Sequence, residues 1–141
     1  MMNLVEKAER RSRSRAILFY LLALSLLAST ILAVTNGNEA PNRLLPWFVM
    51  VGATALNLTG LPFRWGRYGP VSDLMNDETT RYHRRSSFEA GFWAMIVAAA
   101  ATIVVATFEP LNAIALGRIT ITAGLMAALI AFATLEIRAS R

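Results

Sequence analysis

Apolar residues in this chain gather into four long runs, with the polar residues collected between them. Residues 16–34 contain no charge at all. Residues 44–61 form a second run, with Pro46 in its first turn, where a missing N–H is tolerated. The third run begins at Phe88 and reaches Phe108. The fourth covers residues 111–135; it is mildly apolar as far as Gly117, is interrupted by Arg118, and is then clean over residues 119–135. A helix rises about 1.5 Å per residue, so roughly 20 apolar residues cross a hydrocarbon core of about 30 Å. The pattern therefore predicts an all-α polytopic integral membrane protein. Four transmembrane helices in an antiparallel bundle span residues 16–34, 44–61, 86–108 and 112–136, within one domain, 1–141.

The segments between the runs fix the breaks. Asn36, Gly37 and Pro41 supply turn chemistry after the first run. Pro62, Gly66, Gly69 and Pro70 make residues 62–75 a loop, and its alternating Arg64, Trp65, Arg67 and Tyr68 suit a headgroup layer. The third helix is predicted to start earlier than its apolar run. Asn76 or Asp77 can cap it, Asp77 and Glu78 favour its positive end, and no Gly or Pro intervenes before Phe88. It thus extends into the cytoplasm, and Pro110 disfavours helical geometry at Glu109. For the last helix a start near Leu111 is expected, with Arg118 about two turns in and snorkelling toward the surface; a start near Arg118 is the alternative. The basic segment before residue 16 also fits a cleaved signal peptide, but the apolar run exceeds an h-region of about 7–15 residues. A retained first helix is expected.

Charge settles the orientation. Lys7, Arg10, Arg11, Arg13, Arg15, Arg64, Arg67, Arg81, Arg84, Arg85, Arg138 and Arg141 fall on one side of a four-span model, and only Arg43 and Arg118 on the other. Positive residues concentrate on the cytoplasmic side. Both termini are therefore expected in the cytoplasm of a multi-pass protein, most simply of a bacterial inner membrane. The N-terminal segment 1–15 and the loop 62–85 would form its cytoplasmic face. The net charge of +5 is then explained by membrane anchoring, and no nucleic-acid partner is expected. An apolar fraction of 55% and a mean hydropathy of +0.46 fit burial in lipid. The chain has no cysteine, which removes disulfides, thiol catalysis and thiolate metal sites.

Small residues at helical spacing predict the packing faces, because lipid removes most of the hydrophobic drive between helices. Ser25 and Ser29, the series Ala90, Ala94, Ala98 and Thr102, the series Thr120, Gly124 and Ala128, and the stripe Ala127, Ala131 and Thr134 are expected inside. Leu21, Leu22, Ile96, Val97, Ile103, Val104 and Leu125 are expected to face lipid.

Few residues suggest chemistry. Asn57 is the amide well inside a span, read as an interhelical hydrogen bond rather than a substrate contact. Glu89 lies at the membrane edge and is read as the i+4 partner of Arg85 rather than as a proton carrier. Arg118 and Glu109 either pair across Pro110 or anchor their loop. His83 is the single histidine and has no ligand set at metal spacing, so it is read as solvated. No metal, cofactor or catalytic residue is expected, and no hydrolase, phosphate-loop or dinucleotide motif occurs. The basic residues Arg10, Arg11, Arg13, Arg15, Arg64, Arg67, Arg81, Arg84 and Arg85 are the candidate contacts for anionic lipid or a partner protein.

These features point to a non-enzymatic accessory or regulatory membrane subunit, with membrane lipid and a membrane-protein partner or a second copy of itself as its company. The alternative is an oligomeric transporter or channel subunit for a small solute or ion, lined by Ser25, Ser29, Asn57 and the threonines. In helix number the chain resembles the small drug exporters, but that family carries a membrane-embedded carboxylate in its first helix, and residues 16–34 contain none.

Overall fold

A computed structural model describes residues 4–37, 41–59 and 78–139, with side chains from Arg10, Leu44 and Thr80 onward in the three stretches, those of residues 11 and 12 excepted. It is all-helical: α1 is Leu4–Thr35, α2 Pro41–Thr59, α3 Glu78–Ala106 and α4 Ala113–Ala139. Three segments, Arg13–Thr35, Thr80–Ala106 and Ala113–Ala139, are long and apolar enough to cross a membrane. The apolar part of α2, Leu44–Thr59, is shorter.

Each boundary has a local cause. α1 continues without interruption from the basic segment into the apolar run, because no Gly or Pro occurs between Leu4 and Thr35. Its 32 residues make a rod of about 48 Å, against a hydrocarbon core of about 30 Å. It stops at Gly37, whose φ of 59° is the left-handed conformation that closes many helices and that glycine adopts without a Cβ penalty. α3 ends in a tightened turn in which the Thr107 and Phe108 amides reach back to Val104 and Val105 (3.1 and 2.9 Å), just before Pro110. α4 is capped by Asn112, whose Oδ1 accepts the Ile114 amide at 3.1 Å. The start near Leu111 is therefore the one adopted, and Arg118 lies in the second turn. The proposed cap of α3 at Asn76 or Asp77 falls outside the described residues.

α4 is the hub. It packs along α3 and along α1, while α2 leans on both α1 and α4 with much less contact. Between α1 and α4, Ala16, Phe19, Ala23 and Leu26 meet Leu129, Phe132 and Ala133 in the buried core, and Leu58 of α2 completes it. The Phe19 and Phe132 rings are 5.2 Å apart. Small residues in α1 at positions 16 and 23 let the backbones approach, as lipid-embedded helices require.

The α3–α4 contact is closer still. A Cβ on Gly91 would sit 2.8 Å from the Gly124 carbonyl oxygen and 2.9 Å from the Ala128 Cβ. One on Gly124 would strike the Met95 side chain. The buried line on α3 is Ser87, Gly91 and Thr102, with Ala94 and Ala98 half-buried beside it. The predicted series was right at Thr102 and its neighbours but passed over Gly91, the closest approach. On α4, Gly124 and Ala128 are buried as expected.

Three expectations about faces fail. Ser25 is exposed, and its hydroxyl donates to the Leu21 carbonyl (2.8 Å) on its own helix. Leu22 and Leu125 pack partly buried against the core instead of facing outward. Leu125 follows from α4 sitting between two helices, which buries a wider arc of it; Leu22 lies on the edge of the α1 face that meets α4. Leu21, Ile96, Val97, Ile103 and Val104 are exposed as predicted.

Candidate functional site

Two buried arginines mark the two ends of the helix cluster. At one end, Arg15 of α1 reaches across to Glu136 of α4. Its Nε donates to Glu136 Oε2 at 3.2 Å and a second guanidinium nitrogen donates to Oε1, so the pair is bidentate. Both side chains are only 9% exposed. The Arg15 guanidinium also lies 5.1 Å over the Phe132 ring. Beside it, Tyr20 and Thr134 hydroxyls meet at 2.8 Å. Thr134 donates its own proton to the Ile130 carbonyl, so Tyr20 is the donor of that bridge.

At the other end, Arg118 is 6% exposed. Its guanidinium lies 5.3 Å over the Trp47 ring of α2. Its Nε has no hydrogen-bond partner. One turn further along α4, Thr122 joins three helices: its hydroxyl pairs with that of Thr30 on α1 at 2.8 Å and accepts the Trp47 indole N–H at 3.4 Å. Thr54 of α2, two turns beyond Trp47 on the same face, is fully buried with its hydroxyl also unpartnered.

Magnitudes separate the two ends. An unpaired buried charge costs several kcal/mol, and a cation–π contact returns only about 0.5–2 kcal/mol. Arg15 is compensated by a carboxylate; Arg118 is not compensated by any described residue. The expected snorkelling of Arg118 is thus overturned: Trp47 closes over the guanidinium and α2 shields it. Nor does Arg118 pair with Glu109, which is exposed.

The remaining candidates fall out as follows. Arg85 Nε lies 3.5 Å from Glu89 Oε1, with side chains 84% and 66% exposed, which is the predicted i+4 pair at the surface. Asn57 donates to the Ala53 carbonyl at 2.8 Å on its own helix, so the predicted interhelical bond is replaced by local backbone bonding. Arg10, Arg13, Arg81 and Arg85 are exposed, and Arg84 and His83 are half-buried. Arg15, grouped with the surface cations by sequence, has its charge already engaged by Glu136. Arg64, Arg67 and the Arg11 side chain lie outside the described residues. Among the described residues there is no group of three or more His, Asp or Glu placed to hold a metal.

Sequence reasoning missed Glu136 and the Trp47–Thr122–Thr30 junction. Glu136 had a signal: it follows the last apolar run directly, as Arg15 directly precedes the first, so the two opposite charges fall at the same end of their spans. Scanning against family models, curated proteins and solved structures finds no match.

Proposed function

We propose that this is a four-pass accessory or regulatory protein of a bacterial inner membrane. Its helices form an antiparallel bundle with both termini in the cytoplasm, and its basic cytoplasmic face contacts anionic lipid or a larger membrane partner. It performs no chemistry of its own. The observation that carries this reading is the division of Lys and Arg, twelve on one side against two on the other. The exposed Arg10 and Arg13 on the long overhang of α1, and the exposed Arg81 and Arg85 in the early turns of α3, are placed for such contacts. Each basic residue near an anionic surface contributes about 1 kcal/mol. In this reading α2 makes the fourth pass. Its 19 residues measure about 28 Å, close to the hydrocarbon thickness of about 30 Å.

Affinity purification of the full chain in mild detergent tests the proposal. A larger membrane protein recovered in stoichiometric amount, or selective retention of anionic phospholipid, supports it. The second reading, an oligomeric transporter or channel subunit, is favoured by the buried polar seam of Arg118, Thr122, Thr30 and Thr54. A defined homo-oligomer whose liposomes conduct ions or exchange solute would replace the accessory reading with that one. A fluorescent reporter that matures only in the cytoplasm, fused after Arg141, tests the orientation separately and must light up.

A further inference from the structure

The end of the bundle opposite the basic face holds a cation whose counter-charge is missing from the described residues. Arg118 is nine-tenths buried, its Nε–H is unpartnered, and no carboxylate of a described residue lies within ion-pair distance of it. The guanidinium carbon lies 5.3 Å from the Trp47 ring centroid, and a ring face offers no lone pair, so this contact leaves the N–H donors in need of an acceptor. The acceptors that meet a planar guanidinium fork with two oxygens are oxyanions, and at a headgroup boundary the abundant one is phosphate. The element shielding the site is α2, the least firmly packed helix. The second unpartnered buried polar atom, the Thr54 hydroxyl, lies on the same face of α2. The polar seam under α2 is therefore the least satisfied interface among the described residues. Arg118 stands 18 residues before Glu136, an interval of about 27 Å along the helix, which places it at the opposite headgroup boundary when Glu136 marks the first.

We propose that Arg118, lying against the Trp47 ring, is an oxyanion-binding residue that takes a phosphate group at the membrane boundary, admitted by a small outward shift of α2. The phosphate comes either from a phospholipid headgroup or from free inorganic phosphate. This site is separate from the basic cytoplasmic face and stands or falls independently of it.

Trp47 reports on its own site. The chain has three tryptophans, so Trp65→Phe with Trp93→Phe leaves Trp47 as the sole indole emitter. This full-length protein, delipidated in a neutral detergent, is titrated with phosphatidylglycerol, with phosphatidylcholine, with inorganic phosphate, and with chloride at matched ionic strength. A saturable change in Trp47 emission and a rise in melting temperature are expected with a phosphate-bearing ligand. Both should weaken about tenfold in midpoint in Arg118→Lys, which keeps the charge and loses the planar fork. Both should vanish in Arg118→Met. A response to the phospholipids alone assigns the phosphate to lipid; a response to inorganic phosphate as well assigns it to a free anion. No response to any phosphate, an equal response to chloride, or an unchanged midpoint in Arg118→Lys overturns the proposal. Should Arg118→Met fail to fold, the Arg118→Lys midpoint and the chloride arm decide the matter.

Discussion

The two ends of α4 each bury an arginine, and they solve the problem differently. Arg15 is closed by Glu136 in a bidentate pair with Phe132 beneath it. Arg118 has the aromatic ring of Trp47 and no carboxylate among the described residues. The first end is complete among the described residues, and the second is not. Charge burial alone therefore does not identify a binding site in a helix cluster; the uncompensated remainder does. The contrast also separates a helix contact that holds the fold together, α1 on α4, from a looser one, α2 on both.

Breaking the completed end should have the largest effect. Glu136→Ala leaves Arg15 buried and unpaired and is expected to cost about 3–5 kcal/mol. Replacing both partners together, Arg15→Met with Glu136→Leu, should recover most of that loss. Helix content followed through a sodium dodecyl sulfate titration measures both, and a loss in the double variant equal to the sum of the losses in Glu136→Ala and Arg15→Met would show that the pair does not couple. Next is the α3–α4 crossing. Gly91→Ala forces its methyl onto the Gly124 carbonyl and should cost about 1–3 kcal/mol in the same titration. Gly124→Ala should cost less, because its nearest obstacle is the flexible Met95 side chain. A reversed order would mean that the Met95 side chain cannot move aside.

Arg118→Met sharpens the comparison from the other end. In delipidated protein without phosphate it should leave stability within about 1 kcal/mol of the parent or raise it, since it removes a charge that no described carboxylate compensates. Arg15→Met alone, measured alongside, should be clearly destabilising. Smaller again is Asn57→Ala, expected within about 0.5 kcal/mol because the amide bonds only its own helix. Arg85→Ala should lose no more than about 0.3–0.5 kcal/mol, and the loss should disappear in high salt, as for any exposed i+4 pair.

The helices were legible because apolar runs longer than a bilayer needs are hard to mistake. The break at Gly37, the stop before Pro110 and the start of α4 ahead of Arg118 were read from local chemistry. The contacts between helices were less legible. Gly91 is one position away from the alanine series that spacing suggested, and a shift of one residue turns a helix face by about 100°. Arg15 looked like one more surface cation because its partner is 121 residues away. Trp47 stands near the start of its apolar run, where an interfacial ring is ordinary, and that position tells nothing about the arginine beside it. Ser25 and Asn57 were misplaced for a common reason: short polar side chains in a helix can satisfy themselves on the preceding turn and need no neighbour.

The order of synthesis gives the central position of α4 a kinetic meaning. Every helix that packs on it leaves the ribosome before it does. Until α4 inserts, α1 lacks the Leu129, Phe132 and Ala133 surface that covers Phe19 and Leu26, and Arg15 lacks Glu136. α3 waits in the same way with the bare flank of Gly91. The half-made protein is therefore a set of loosely tethered rods. The bundle closes in a late step, and a nascent chain stalled before residue 113 would be a substrate for membrane quality control rather than a smaller version of the same fold.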